Sequence, residues 1–422
     1  MKIIIALLSL PSLLASAQGF PVGVSLPIVH TLDPLELSVT QKLVQTGLLG
    51  STVLEDSYAT LLSTADQLMY QEPYTVTDKT LLPVSNDPHD YYSLAPYWWP
   101  NPSTPDGLPW IDKDGQTNPA SKNSSTDATR FSDFLQALDN LSLAYYLSGN
   151  ISYAQQAATF LRTWFLNPAT LMNPNLNYAQ AIPGVSDGRD IGVLDARDLN
   201  FVTDAVGLLA SANVLSESDI QGLNTWFQTY LSWLETSING IGESEQTNNH
   251  GTWYVAQLVN IALFVGNETA AKGWLEFALT QRLPGQFNST GQEPLELSRT
   301  RPFHYSVFNL VAATRLGFYG NKLGVDIFGW NPYNEKSPML LTSLEYLSPY
   351  LVNPSKWTPY DLTGVEYTTV ISDDCIPAAL SMQIQEYGPL HSLIAGCNAD
   401  LNNATSVNTW LKWPTSSLLC GL

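Results

Sequence analysis

Pairs of helical patterns recur along this chain, and the recurrence constrains its fold more than any other feature of the sequence. Within each pattern, apolar residues fall three or four positions apart, as in a helix that buries one face. The pairs are residues 129–147 with 153–165, 198–213 with 218–238, 251–265 with 270–283, and 303–319 with 338–351. Helix pairs repeated at roughly 50–60 residues predict an all-α fold, either a solenoid or a closed α/α toroid.

The segments outside these pairs carry weaker signals. Residues 18–37 predict an extended arm, and residues 38–70 predict a long helical segment because their apolar spacing continues throughout. Residues 71–128 are rich in Pro, Asn, Gly and aromatic side chains and have no sustained period, which predicts an ordered region with a function. Strand-like alternation is nearly absent, and residues 367–372 are the best short candidate.

Residues 1–17 predict a secretory signal peptide. Lys2 supplies a positive start, an apolar run follows, and Ala15, Ser16 and Ala17 form a small-residue cleavage pattern. The run is too short to span a membrane, and no later segment has an uninterrupted apolar run of about 18 residues. We therefore expect a secreted, extracellular protein with no membrane partner.

Sequons and cysteines agree with a secretory route. Sequons for N-glycosylation occur at Asn123, Asn140, Asn150, Asn267, Asn288 and Asn403, and we expect some of them to carry glycans. The chain has three cysteines, so at most one internal disulfide forms. We expect Cys375 to pair with Cys397, which leaves Cys420 free, within an irregular C-terminal part at 352–422.

The net charge of the chain argues against two classes of binding partner. Its 422 residues carry a formal net charge of −20, which argues against nucleic acids and anionic membranes because both bind basic surfaces. The 12 Trp and 20 Tyr are more than a core needs and hint at stacking on carbohydrate.

One loop concentrates aromatic side chains. Residues 86–100 read NDPHDYYSLAPYWWP, and the segment continues to Gln116; we call residues 86–116 the aromatic loop. Aromatic faces stack on the C–H faces of sugars and phenols add hydrogen bonds, so the loop is a candidate for sugar binding. The alternative is that the aromatic rings only pack the loop against the helices and bind no sugar.

Two helix starts carry polar groups that suit acid–base chemistry. Residues 247–254 read TNNHGTWY, which places Asn249 and His250 at a helix N-terminus, where the helix dipole favours a neutral imidazole. The alternative is that Asn is only a helix cap and His250 a surface residue.

The second helix start is more basic. Residues 293–308 read EPLELSRTRPFHYSVF and crowd Arg299, Arg301, His304 and Tyr305 together. A guanidinium group is the natural partner of a carboxylate. The alternative is that the arginines pair with Glu293 or Glu296 and that Tyr305 belongs to the core.

Together these segments resemble the alginate lyase superfamily, whose members are polysaccharide lyases built on an α/α toroid. The resemblance runs from about residue 87 to about residue 319 and includes IGVLDAR at 191–197. It implies a single toroid domain at 18–422, formed as an incomplete barrel of helical hairpins. It also implies that Asn249 and His250 are the family's Asn–His pair, Tyr305 its catalytic tyrosine and Arg299 its catalytic arginine, with Arg301 as the alternative arginine.

Cleavage of a polyuronate needs such a set of groups. A lyase removes the proton at C5 and expels the sugar linked at O4, so the neighbouring carboxylate must be neutralised, here by Asn249 and Arg299. In mannuronate and glucuronate the proton and O4 lie on one face, so Tyr305 could be both base and acid, or His250 the base and Tyr305 the acid. Guluronate needs two residues on opposite faces. The resemblance favours alginate, and mannuronate blocks are the expected preference because a site centred on Tyr305 suits elimination on one face; glucuronan is the alternative substrate.

Two other functions compete with the lyase. A glycoside hydrolase needs two suitably spaced carboxylates, and a sugar-binding protein would show no turnover. Candidate carboxylates are Asp187, Asp190, Asp195, Asp198, Glu243, Glu245, Glu293 and Glu296. The joint presence of Asn249, His250, Arg299 and Tyr305 favours catalysis.

The remaining candidate residues are expected to bind the substrate. They are His89, Tyr91, Tyr92, Tyr97, Trp98, Arg189, Asn248, Arg301 and His304. We expect an acidic polysaccharide as the partner, no cofactor, no metal and a monomeric protein. A chain of charge −20 repels a polyanion at long range, so we also expect Arg and His side chains to gather in the groove.

Overall fold

The computed structural model describes residues 26–50, 52–363 and 411–413. Several features predicted from the sequence lie outside these ranges. They are the signal peptide, the strand candidate at 367–372, the sequon at Asn403 and the three cysteines at Cys375, Cys397 and Cys420.

Helices dominate the described residues. The α-helices are α1 (Pro34–Thr46), α2 (Thr52–Leu68), α3 (Ala128–Ser148), α4 (Ile151–Phe165), α5 (Asn200–Leu209), α6 (Glu217–Thr236), α7 (Ile238–Ser244), α8 (Asn249–Phe264), α9 (Glu268–Phe277), α10 (Pro294–Leu297), α11 (Pro302–Leu323) and α12 (Met339–Val352). Short 3-10 turns connect them, including one at Asp190–Ala196 that packs on α7 and α8. Within the described residues, no helix has the length and apolar character needed to cross a membrane.

The helices form two layers, and burial distinguishes them. Helices α3, α5, α8 and α11 contact one another in that order, while α4, α6, α9 and α12 pack outside them. Helix α8 is buried on nearly every face, whereas the outer helix α9 buries only Ala271 and Leu275. An inner helix surrounded by others must be apolar all round, and an outer helix needs only one apolar face. The predicted α/α toroid and its four helix pairs are confirmed.

Among the described residues, four short strands order the loops that precede and follow α3 and α4. Strand β1 (Tyr92–Leu94) pairs in parallel with β4 (Tyr178–Ala181), although more than 80 residues separate them in sequence. Strands β2 (Trp98–Trp99) and β3 (Ile111–Asp112) form an antiparallel ladder in which Trp98 faces Asp112. The aromatic loop is therefore ordered by backbone pairing at two points.

The N-terminal helical pattern differs from its prediction. Residues 38–70 form two helices, because Gly47 adopts a left-handed conformation with φ of 67° and ends α1. Glycine takes this conformation without steric cost, so it is a common helix terminator. The predicted extended arm is also shorter than expected, since Asp33 caps α1 and the helix begins at Pro34.

Candidate active site

The start of α8 brings Asn249 and His250 into the interior. Asn248 caps the helix through its side-chain oxygen, which accepts the N–H of His250 at 3.2 Å. Gly251 follows because a Cβ at this position would collide with the Gln246 carbonyl oxygen and the Arg282 guanidinium. Since His250 is only 8% exposed, the alternative of a surface histidine is wrong. The capping role belongs to Asn248, which leaves Asn249 for other contacts.

Asn249 is held by a buried carboxylate from α10. Glu296 accepts the main-chain N–H of Asn249 at 2.7 Å and its side-chain Nδ2 at 2.8 Å. Both residues are almost fully buried. Burial raises the pKa of Glu296, while the two hydrogen bonds from Asn249 and the nearby charges of Arg299 and His250 act in the opposite direction. The amide therefore has a fixed position at the helix N-terminus.

A second buried carboxylate holds His250. The Nδ1 atom of His250 lies 2.8 Å from Oε1 of Glu243, which belongs to α7. Glu243 has no exposed surface, and burial raises its pKa. Among the described residues, no hydrogen bond reaches Nε2 of His250. The imidazole thus has one nitrogen occupied by a carboxylate and the other available to a substrate.

Tyr305 lies in the first turn of α11, the helix that packs along α8. Its hydroxyl donates a hydrogen bond to the hydroxyl of Tyr97 at 2.8 Å. Burial raises the pKa of Tyr305 well above its usual range, and Tyr97 adds to the effect while Arg299 opposes it. The phenol is therefore a proton donor in this state. The side chain is buried, as its core alternative predicted, but its hydroxyl contacts the aromatic loop.

Arg299 connects Tyr305 to the aromatic loop. Its guanidinium carbon lies 3.9 Å from the centre of the Tyr305 ring, and Nη2 forms an ion pair with Asp114 at 2.7 Å. The predicted alternative of an arginine paired with Glu293 or Glu296 is therefore wrong for Arg299, since Asp114 holds it. Arg301 lies elsewhere, with its Nε donating to Thr363 at 3.1 Å.

Glu296 links the two halves of this site. Its carboxylate holds Asn249 directly and lies within electrostatic range of both His250 and Arg299. Arg299 in turn contacts Tyr305. The four residues predicted to be catalytic are thus related through Glu296, which is bonded to Asn249 and acts electrostatically on His250 and Arg299, and through the contact of Arg299 with Tyr305.

The aromatic loop is only partly as predicted. Tyr91 is 1% exposed, packs on Phe131 and donates its hydroxyl to Asp195 at 3.1 Å, so its predicted stacking on sugar is wrong. Tyr92, Tyr97 and Trp98 are partly exposed to solvent. Next to them, the ammonium of Lys113 lies 5.0 Å from the centre of the Trp99 ring.

The other predicted binding residues are more dispersed. The Nδ1 atom of His89 lies 2.6 Å from the carbonyl of Leu171, and the ring of His304 stacks on Phe308. Arg189 donates to the side-chain oxygen of Gln180 at 2.9 Å and has Asp190 and Asp195 among its neighbours. These residues are not shown to gather in one groove, and Arg189 lies among carboxylates that reduce its local positive charge.

The partners of the four side chains predicted to be catalytic were not identified from the sequence. Asp114 was only part of the aromatic loop, and Glu243 and Glu296 were candidates for a hydrolase. In the structure Glu243, Glu293 and Glu296 are all buried and hydrogen-bonded to side chains. The only signal in the sequence was the presence of acids within a few residues of each helix start.

The described residues also bear on the predicted glycosylation sites and on the question of a metal site. Asn123, Asn150 and Asn267 are exposed, and Asn140 and Asn288 are half-buried. Within residues 26–50, 52–363 and 411–413, no three His, Cys, Asp or Glu side chains cluster in a way that could hold a metal ion.

Comparison with known proteins identifies similar chains. The model of a family described as alginate lyase matches residues 75–357. The crystal structure of an alginate lyase from Bacteroides ovatus is 31% identical, with a TM-score of 0.82 over 92% of this chain and 99% of that one. Alginate lyase A1-III from Sphingomonas species A1 shares the fold at 15% identity, with a TM-score of 0.54 over 86% and 90% of the two chains.

A variant of alginate lyase A1-III complexed with a tetrasaccharide also shares the fold. It is 14% identical and has a TM-score of 0.57 over 88% of this chain and 91% of that one. No curated protein sequence gives a significant match.

Proposed function

The chain belongs to the alginate lyase family and is a polysaccharide lyase, and we propose that it cleaves alginate by β-elimination with a preference for mannuronate blocks. The observation that carries this proposal is the contact between Arg299 and Tyr305 beside the buried pair of Asn249 and His250. These residues supply a cation, an amide donor, an imidazole and a phenol. The alginate lyase from Bacteroides ovatus supports the choice of substrate.

The reaction changes two bonds to carbon in one sugar. The C5–H bond breaks and its electron pair forms the C4=C5 double bond. The C4–O4 bond breaks with its electron pair leaving on the oxygen, and that oxygen takes up a proton. The products are one fragment with a new reducing end and a second fragment that ends in a 4,5-unsaturated uronate. Neither a nucleophile nor water is consumed.

Asn249 and Arg299 neutralise the uronate carboxylate in this proposal. Removal of the C5 proton moves negative charge onto that carboxylate, so fixed donors lower the barrier. Arg299 uses Nε and Nη2 for Asp114, and a guanidinium has five N–H donors, so donors remain for a substrate. The Nδ2 group of Asn249 has a second hydrogen beyond the one that Glu296 accepts.

His250 and Tyr305 divide the proton transfers. Because Tyr305 is protonated, it is suited to give a proton to O4, and Nε2 of His250 is suited to accept the proton from C5. Both side chains come from the first turns of α8 and α11, two adjacent helices of the inner layer. We infer that they reach the same face of the sugar, which matches mannuronate, where the C5 proton and O4 share a face.

The protein is also proposed to be secreted and glycosylated. The pattern of residues 1–17 supports export, and exposed sequons at Asn123, Asn150 and Asn267 support glycan attachment. A mature N-terminus at Gln18, found by sequencing the exported protein, is the expected result. Retention of Met1 in the exported protein would contradict it.

Product analysis tests the proposed reaction. The chain is incubated with alginate, glucuronan and a neutral glucan, and both ultraviolet absorbance of the C4=C5 bond and reducing ends are recorded. We expect both signals to rise together on alginate and neither to rise on the glucan. Reducing ends without absorbance would indicate hydrolysis, and faster absorbance on glucuronan would move the substrate to that polymer.

A further inference from the structure

Two buried glutamates from different helices contact consecutive residues of the proposed site. Glu243 of α7 contacts His250, and Glu296 of α10 contacts Asn249. We infer that Glu243 and Glu296 are positioning residues that fix which nitrogen of His250 accepts a proton and which end of the Asn249 amide faces the substrate. This inference rests on the proposed function of the same site.

Glu243 selects the tautomer of His250. A neutral imidazole has one N–H donor and one acceptor nitrogen, and the hydrogen bond at one nitrogen sets the state of the other. A carboxylate accepts hydrogen bonds, so Nδ1 of His250 carries the hydrogen and Nε2 keeps its lone pair. When Nε2 takes the C5 proton, the resulting imidazolium lies 2.8 Å from a carboxylate oxygen that stabilises its charge.

The surroundings of Glu243 favour this role over a purely structural one. Its Oε2 atom has no hydrogen-bond partner among the described residues, and the side chain is fully buried. A buried carboxylate with an unsatisfied oxygen costs stability, whereas an apolar side chain would not. Asp190, Arg189 and Arg282 are charged groups that also act on Glu243, and His250 has the largest favourable effect on its ionised form.

Glu296 fixes the Asn249 amide. A carboxylate can only accept, so the amide must turn its Nδ2 group toward Glu296. The second contact, from the main-chain N–H, satisfies a donor that the first turn of a helix leaves open. Asn249 Oδ1 has no hydrogen-bond partner among the described residues. The arrangement therefore leaves the second N–H of the Asn249 amide free to donate to the carboxylate of the substrate.

The tautomer of His250 in the full chain is the first test. The five histidines are labelled with ¹⁵N, and the His250 signal is assigned by its loss in His250→Gln. At about pH 8, above the usual titration range of histidine, we expect hydrogen on Nδ1 in the unsubstituted protein. Hydrogen on Nε2 would overturn the role of Glu243. This measurement needs no turnover, so it remains decisive even if alginate proves to be the wrong substrate.

Kinetics of matched variants are the second test. Glu243→Gln and Glu296→Gln keep the side-chain volume and should each lower kcat by about 10- to 100-fold with little change in KM. Glu243→Gln should also mix the His250 tautomers. Glu293→Gln is the control, because Glu293 is equally buried but contacts Asn309 and Ser343 instead.

Comparison with the control variant Glu293→Gln shows which result would contradict the inference. If all three folded variants lose activity equally, the loss follows from removing any buried carboxylate near the site and the inference fails. Equal activity of the folded Glu243→Gln or Glu296→Gln variant and the unsubstituted protein would also overturn it for that residue. Thermal unfolding of each variant establishes that it is folded.

Discussion

The start of α8 and the aromatic loop both belong to the proposed site, and the structure holds them in different ways. Asn249 and His250 are buried, and the side chain of each forms a hydrogen bond with a buried glutamate. Tyr97 and Trp98 are partly exposed, and the loop reaches the helices through the Tyr97–Tyr305 hydrogen bond and the ion pair of Asp114 with Arg299.

This difference indicates how chemistry and binding are divided. Groups that stabilise charge must be fixed before the substrate arrives, because their reorganisation would raise the barrier. Groups that bind a long polymer must remain accessible. We therefore expect changes at the helix starts to lower kcat and changes in the aromatic loop to raise KM. Three substitutions test this division, in order of expected effect.

Tyr305→Phe should have the largest effect. It removes the proton donor and little volume, so kcat should fall by about 10³-fold or more while the polymer still binds. Tyr145→Phe is a matched control, because Tyr145 is similarly buried and its hydroxyl contacts Ser211 beyond the end of α5. Initial rates and a binding titration measure the two effects. Activity within a few-fold of the unsubstituted protein would remove Tyr305 from the chemistry.

Arg299→Ala should rank second. It removes the cation that lies against Tyr305, and the loss of one charge-stabilising group costs about 10²- to 10³-fold in kcat. Arg301→Ala is the control, because Arg301 contacts Thr363 and should cost much less. The two variants are compared by kcat on the same substrate. The reverse ranking would assign neutralisation of the carboxylate to Arg301.

Trp98→Ala should have the smallest effect of the three. The loss of a stacking face should raise KM by about tenfold, which corresponds to about 1.4 kcal/mol of binding free energy. Trp98→Phe keeps an aromatic face and should recover most of the affinity. A fall in kcat at unchanged KM would instead place Trp98 at the reacting sugar and would weaken the division between helix starts and loop.

The sequence predicted the helix pairs because helical patterns are a local property. Helices α3, α8 and α11 are each rich in apolar residues over their whole length. The break at Gly47 was missed because apolar spacing continues on both sides of it. The pairing of β1 with β4 was missed because such short strands have no period and their partners are distant in sequence.

The site was predicted in part for a related reason. Asn249, His250, Arg299 and Tyr305 were found through short motifs at helix starts. Their carboxylate partners come from other elements, so only the fold brings Glu243, Glu296 and Asp114 to them. Tyr91 was misassigned because a sequence does not reveal which ring of an irregular loop turns inward.

The relative rate on mannuronate and guluronate blocks tests the central claim most directly. Poly-mannuronate and poly-guluronate are supplied under identical conditions, and the initial rise in ultraviolet absorbance is recorded for each. Because His250 and Tyr305 are proposed to act on one face of the sugar, the account predicts cleavage of mannuronate faster by about tenfold or more, equivalent to about 1.4 kcal/mol in activation free energy. Guluronate cleaved as fast as mannuronate would contradict it, since that substrate requires the base and the acid on opposite faces.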